Sequence, residues 1–423
     1  MSRVRPSHTL LYTRVAPALL LVALAVLSMA PVAPAAAQDY ELLGSVETRA
    51  YGAYRKDSPV VADPAQRGTW ALSALTRLEA THRLTLGSRG EAELLLDHAL
   101  TLVPLTAGTQ APSSFVSTGS TVGGVSTGTG GTGAAGTTGV QPLHEVYQAW
   151  LGLYPADWLS LRLGRQRLNW GTGWTFSATD ALHPRSPDSE VEPGFDGASL
   201  SLIGGANLAV EGALAAQDAF TTTDPEDLRT ALYLNAFLPP VDAFVSVVHQ
   251  YATMLRPGLG LSLPAGPFLL AGELAAELYD PRGEVLNTQT LASLGAEYSR
   301  YGERADLTLL AEYLHNGLEE TFPGPAATDL VVTTDAAGGF QRPGRHYAAA
   351  TAALAVSESW STEHSVLANL SDESLLISHS ATMLRIPGLD LSARVIWNVG
   401  EVESEFGLLE QGMVVELGLQ AHF

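Results

Sequence analysis

The chain ends in Met413-Val414-Val415-Glu416-Leu417-Gly418-Leu419-Gln420-Ala421-His422-Phe423. Met413, Val415, Leu417, Leu419, Ala421 and Phe423 share one parity, and Glu416, Gly418, Gln420 and His422 share the other. Successive side chains of a strand point to opposite faces, so this is a β-strand with one apolar face, one polar face and an aromatic last residue. Such a strand suits a sheet with lipid on one side and water on the other.

The amino end agrees. Arg3, Arg5 and Arg14 precede an apolar stretch from Ala16 to Leu27, and Ala35, Ala36 and Ala37 come just before Gln38. This reads as a secretory signal peptide over 1–37, cleaved near Ala37, with 38–423 as the mature chain. No other stretch approaches the roughly 20 continuous apolar residues of a membrane-spanning helix. The two ends together predict export to the periplasm and insertion into a bacterial outer membrane. Phe423 is then the expected recognition residue for the barrel assembly machinery.

Removing 1–37 takes away three arginines and no carboxylate, leaving 20 Lys+Arg against 44 Asp+Glu, a formal charge of −24. That balance argues against a nucleic-acid partner, which requires a basic footprint. The chain has no cysteine, which excludes disulfides and thiolate chemistry.

Alternating segments of about 9 to 13 residues recur along the chain, separated by Gly, Pro, Asp and Asn. Leu389, Leu391, Ala393, Val395, Trp397 and Val399 oppose Asp390, Ser392, Arg394 and Asn398. Ala305, Leu307, Leu309, Ala311 and Tyr313 oppose Asp306, Thr308 and Glu312 in the same way. A β-sandwich also alternates, but the signal peptide and Phe423 make lipid the better partner for the apolar face. Counting gives about 18 strands, or 16 if a hairpin is miscounted. The expected fold is therefore all-β, a transmembrane antiparallel up-and-down β-barrel. Its connections alternate between tight turns, such as Pro155 to Asp157 and Pro264 to Gly266, and a set that includes long insertions at 105–141, 170–195 and 315–344. Short periplasmic turns and long extracellular loops are the expected assignment. Tyr154, Trp158, Phe237, Phe244, Phe268, Tyr298, Tyr301 and Trp360 fall at or beside the tight turns, as an interfacial girdle does.

Gly124-Val125-Ser126-Thr127-Gly128 fits a nucleophile elbow, and Gly128 to Gly133 fits a dinucleotide fingerprint. Both need a strand-turn-helix context. Residues 113–139 are instead a Ser/Thr/Gly/Val/Ala run of low complexity, expected to be an extracellular loop. His249, His364 and His379 lie in separate strands without a metal-ligand motif. No catalytic set emerges, so the expectation is a non-enzyme without a cofactor.

The most distinctive stretch is Leu161-Arg162-Leu163-Gly164-Arg165-Gln166-Arg167-Leu168-Asn169-Trp170-Gly171, continuing to Thr179-Asp180-Ala181-Leu182-His183-Pro184. It resembles the G-R-Q-x-x-x-W-G … T-D-x-x-x-P signature of a group of large proteobacterial outer-membrane barrels, some described as porin-like and some linked to lipid or polymer export. The match covers about 24 residues. Ser177-Ala178 stands where that family commonly has Asn-Pro, and His183 where Asn often precedes the proline, so no ligand is carried over. The resemblance implies a barrel and a transport role.

Parity raises a conflict here. Leu159, Leu161 and Leu163 face lipid, which would put Arg165 and Arg167 in lipid too, at a cost of about 2–4 kcal/mol each near the midplane. One solution is a bulge at Gly164 that turns Arg165, Arg167 and Asn169 inward beside Arg162, backed by a loop folded into the lumen as a constriction. The other is that the strand has already left the membrane and the arginines sit at the extracellular rim against lipopolysaccharide phosphates or an acidic loop. Inward positions elsewhere are mostly acidic, including Glu211, Glu273, Glu277, Glu297 and Glu312 against Arg77 and Arg394. The candidate pore-lining set is Arg162, Arg165, Arg167, Asp180, Glu273, Glu277, Glu297, Glu312 and Arg394. A weaker candidate is a Ca²⁺ site at Asp188, Glu190, Glu192 and Asp196.

The favoured function is a porin-like channel for passive diffusion of small polar solutes, leaning toward cations. Lipid or polysaccharide export is the alternative, hinted at by Leu168, Leu310, Leu367 and Leu376 at inward parity, and a closed surface-binding or structural barrel comes third. Expected partners are outer-membrane lipids, lipopolysaccharide, the assembly machinery and polar solutes, with a homotrimer as the assembly to test.

Overall fold

The computed structural model describes residues 39–55, 68–86, 90–105, 139–180, 182, 194–205, 207–216, 228–250, 254–279, 287–317, 344–357, 359–386, 388–401, 404–407 and 411–422. The expected signal peptide, Phe423, nearly all of the run at 113–139, and Asp188, Glu190 and Glu192 lie outside the described residues.

Eighteen strands follow one another: β1 Asp39–Arg55, β2 Gly68–Leu86, β3 Gly90–Leu105, β4 Gly139–Ala156, β5 Leu159–Gln166, β6 Phe195–Ile203, β7 Leu208–Ala216, β8 Leu228–Leu238 and β9 Val241–Gln250 form the first half. The second half is β10 Met254–Ala265, β11 Phe268–Tyr279, β12 Asn287–Arg300, β13 Asp306–Asn316, β14 His346–Ser357, β15 Trp360–Asn369, β16 Ser374–Ile386, β17 Leu389–Val399 and β18 Gln411–His422. Each strand pairs with its neighbours in sequence, and β1 pairs antiparallel with β18, with Ser45 opposite His422 and Tyr54 opposite Met413. This is an all-β, antiparallel, up-and-down barrel.

The alternation decides the two faces. Leu232, Val245, Leu259, Leu274, Leu294, Leu391 and Leu417 point outward and stay exposed, while their neighbours Ala231, Phe244, Glu273, Ser293 and Gly418 are buried on the inner side. An outer belt of Leu and Val is favoured only where its solvent is apolar, each such side chain gaining about 1.5–3 kcal/mol on leaving water. At the end with the tight turns, Trp158, Phe237, Phe268, Tyr301 and Trp360 are exposed as the girdle expectation has them. Phe244 and Tyr154 depart from it. Phe244 is inward and packs on Tyr233, with ring centroids 5.0 Å apart, and the Tyr154 hydroxyl donates to Glu93 at 3.0 Å. Both lie on the polar parity of their strands, so the register sends them inside.

The strand expected over 158–169 stops at Gln166. The β5 ladder with β4 and β6 runs unbroken through Gly164, so the register shift considered there does not occur. Gly164 instead has φ +121°, and an added Cβ would strike the backbone of Ala149 and come within 3.0 Å of Trp150 Cα. Only glycine suits that conformation and that approach. Beyond Gln166 the chain leaves the sheet and folds into the barrel.

Candidate functional site

Residues 167–180 and Leu182 lie against the inner wall and fill part of the lumen with their side chains. Leu168, Trp170 and Leu182 pack with Phe195, Ala213, Ala215, Ala231, Val248 and Met254 on β6 to β10. Phe176 and Ala178 pack with Ala275, Leu291, Leu314, Tyr347, Ala349 and Leu367 on β11 to β15, and with Phe406 from the β17–β18 connection. Trp170 is 1% exposed and Phe176 is 0% exposed. Five of these twelve wall residues are Ala, and glycines extend the pattern. At Gly295 an added Cβ would sit 2.7 Å from the Trp174 ring and 2.8 Å from Glu312 Cγ. At Gly258 it would sit 2.9 Å from Thr179. A wall thinned to Ala and Gly makes room for the loop.

Carboxylates of the wall hold the loop by its backbone. Glu273 on β11 accepts from Thr172 N–H, from Gly173 N–H at 2.9 Å and, on its second oxygen, from Ser177 Oγ at 3.1 Å, Thr179 N–H at 3.1 Å and Thr179 Oγ1 at 3.0 Å. Glu312 on β13 accepts from Trp174 N–H at 2.9 Å and from Thr175 N–H. Glu211 on β7 accepts from the Trp170 indole at 2.7 Å. Loop amides have no partners in a sheet ladder, and a buried amide left unpaired costs about 1–3 kcal/mol. Three anionic acceptors therefore meet that need with charge-assisted bonds. Gly171, at φ +105°, lets the turn wrap the Glu273 carboxylate, since a Cβ there would lie 2.5 Å from Ser177 Oγ and 2.6 Å from Glu273 Oε1.

Each residue of the candidate set has a definite place. Glu273 and Glu312 are 4% and 5% exposed and engaged with the loop. Asp180 is buried within the loop, where it accepts from Leu182 N–H at 3.1 Å. Arg165 bridges to Asp196, its partner in register across β5 and β6, at 2.9 and 2.7 Å, and also donates to Val146 O. That ion pair meets the expectation of a lipid-facing arginine in a third way: the charge is neutralised by its neighbour. Arg162 is inward, its guanidinium 4.8 Å from the centre of the Trp150 ring, and Arg167 is partly buried just past β5. Glu277 pairs with the buried Arg256. Glu297 accepts from Ser299 at 2.7 Å, and Arg394 donates to Ser378 at 3.2 Å and sits opposite Glu416 in register. Asp196, the one described member of the calcium set, has both oxygens on Arg165. Among the described residues no group of three or more His, Asp or Glu forms a metal site.

Trp170, Trp174, Phe176, Tyr233, Tyr347 and the turn around Phe406 stand outside the candidate set. Trp170 stacks on Tyr233 at 5.3 Å. Glu405 accepts from Tyr347 Oη at 2.7 Å and Asn369 at 2.9 Å, which seats Phe406 beside Phe176. Inward-parity Ala and Gly on β7 to β14 were the available sign that something packs there.

A barrel narrowed by an inward loop invites comparison with solved structures. The chain is similar in fold to OccAB1. That Acinetobacter baumannii structure is 10% identical, with a TM-score of 0.54 over 93% of this chain and 98% of the other. OccAB3 of the same organism is 11% identical, with a TM-score of 0.53 over 91% and 99%. A mutant of the Rhodopseudomonas blastica porin is 10% identical, with a TM-score of 0.44 over 91% and 100%. No protein-family model and no curated protein sequence matches the chain.

Proposed function

We propose that this chain is an outer-membrane channel for passive diffusion of small polar solutes. What supports the reading is a barrel with an apolar outer belt and an inner loop, residues 167–180 and Leu182, held to the wall by Glu211, Glu273 and Glu312. In this reading 1–37 is removed on export, Phe423 serves assembly, the tight turns are periplasmic and the long connections extracellular. A homotrimer is the assembly we propose to test by size and mass in detergent.

The lining that remains after the loop is seated sets the charge preference. Glu273 and Glu312 are withdrawn into loop anchoring, and Arg165 into its pair with Asp196. Arg162 and Arg394 then share the inner side, by parity, with Glu93, Asp242, Glu297 and Asp390. More carboxylates than guanidinium groups in a low-dielectric passage favour cations over anions. The apolar inward residues Leu367 and Leu376 pack under Phe176 and are not an open track, so they lend no support to lipid export.

Reconstitution into a planar bilayer tests the reading. Stepwise conductance that rises with salt, and a reversal potential of cationic sign across a salt gradient, are expected. Folded protein that inserts without conductance would leave a closed surface barrel as the better account.

A further inference from the structure

A cluster of polar side chains sits where the belt should be apolar. Tyr313 and His315 on β13 and His346 on β14 lie on the outward parity, with His315 directly opposite His346 in register. The Tyr313 hydroxyl is 2.6 Å from His346 Nδ1, and the two imidazole rings are 5.2 Å apart. Tyr313 is 40% exposed. The cross-strand neighbours on this face are small or apolar: Ala292 opposite His315 and Ala348 opposite Tyr313. They leave the three polar groups uncovered. The outward positions of β11 to β16 carry no Asp or Glu among the described residues, in a chain with 44 carboxylates against 23 Lys and Arg.

The position fixes what the cluster meets. His315 is next to the last residue of β13 and His346 is the first of β14, at the end of the barrel with the long connections. On the proposed reading of the chain as an outer-membrane barrel, on which this inference rests, that end stands at the outer lipid headgroups. With the tyrosine hydroxyl donating to Nδ1, the His346 proton resides on Nε2, directed away from Tyr313. His315 presents a second ring nitrogen alongside. Two imidazoles with ring centroids 5.2 Å apart can both donate to one tetrahedral oxyanion, and among the described outward residues of β11 to β16 no carboxylate opposes it. The other outward histidine pair differs. His364 and His379 lie 3.0 Å apart, Nδ1 to Nδ1, and partner one another nearer mid-strand.

We infer that Tyr313, His315 and His346 form a site for the phosphate of a membrane lipid headgroup. The probe is phosphatidic acid, added to the full chain in detergent and read by native mass spectrometry, with diacylglycerol of the same tails as the phosphate-free control. The folded chain should retain phosphatidic acid over diacylglycerol. His315→Ala with His346→Ala should lower that retention about tenfold, as expected for losing one or two charge-assisted bonds, and Tyr313→Phe should lower it less. His364→Ala with His379→Ala should leave it unchanged. Equal retention of both lipids, or unchanged retention in the folded double variant, overturns the site. Full competition by inorganic phosphate at the lipid's own concentration overturns the lipid assignment, because the tails would then contribute nothing. Heat-modifiable mobility checks that each variant is folded, and Tyr313→Phe, which removes one oxygen, covers the case in which the double variant does not fold. Conductance of the same preparations is read separately, so failure of the channel reading shows as silent membranes whatever the lipid retention.

Discussion

Glu273 gathers more of the loop than any other wall residue described above, and its role separates cleanly from that of a pore-lining charge. Replacing it with Gln keeps the volume but halves the acceptor capacity and removes the charge that shortens those bonds. Glu273→Gln is expected to cost about 2–3 kcal/mol, read as a lower urea midpoint in micelles, and to make the open channel noisier as the loop loosens. A quiet channel with an unchanged midpoint would show that the loop holds without this carboxylate. Gly295 tests the same seat from the wall side. In Gly295→Val the new side chain must displace Trp174 or the Glu312 stem, so the indole emission should shift to longer wavelength as Trp174 moves toward water. On the proposed channel reading, Arg162 is, with Arg394, an inward arginine not engaged in holding the loop. Arg162→Glu should move the reversal potential further toward cations, most visibly at low salt, where the screening length approaches about 30 Å. Arg165→Glu should act on stability instead, since it sets a second carboxylate against the buried Asp196, at a cost of about 3–5 kcal/mol. Equal shifts in reversal potential from the two substitutions would place both arginines on the ion path.

At the scale of the element, the strands were legible because their two faces differ, and Leu391 beside Ser392 or Leu307 and Leu309 around Thr308 shows the period of two without any tertiary knowledge. Boundaries followed within a few residues: β8 Leu228–Leu238 ends at Pro239 and Pro240, which lack the N–H that would continue the ladder. The loop was legible only as an irregular stretch after an arginine-rich strand. Its anchors lie 101 and 138 residues downstream at Glu273 and Glu312, and an isolated acidic residue at an inward position looks the same whether it faces water or an amide. Arg165 failed for a related reason. Parity placed it correctly on the outward side of β5, but the partner that neutralises it, Asp196, arrives from β6 across the long insertion, and no local pattern links the two. If the run at 113–139 is a loop, as its composition suggests, its removal should leave the heat-modifiable folded form at the level of the parent chain; loss of that form would make the segment part of the barrel.

For the whole molecule, β1 and β18 are neighbours, so the sheet is joined by the two ends of the chain. Replacing Phe423 with Asp should therefore reduce the yield of the folded, fast-migrating form on gels, because the terminal strand would lose the aromatic that suits the membrane interface. Full yield in the variant would mean that β18 pairs and inserts without it. The same topology gives the inner loop a place in time. Residues 167–182 are synthesised before β7, β11 and β13, the strands that carry its three carboxylate anchors. A nascent chain cut anywhere before Glu312 has the plug but not its full socket. The loop's seat is thus complete only once the chain through Glu312 has joined the sheet, and until then its amides need water or another partner.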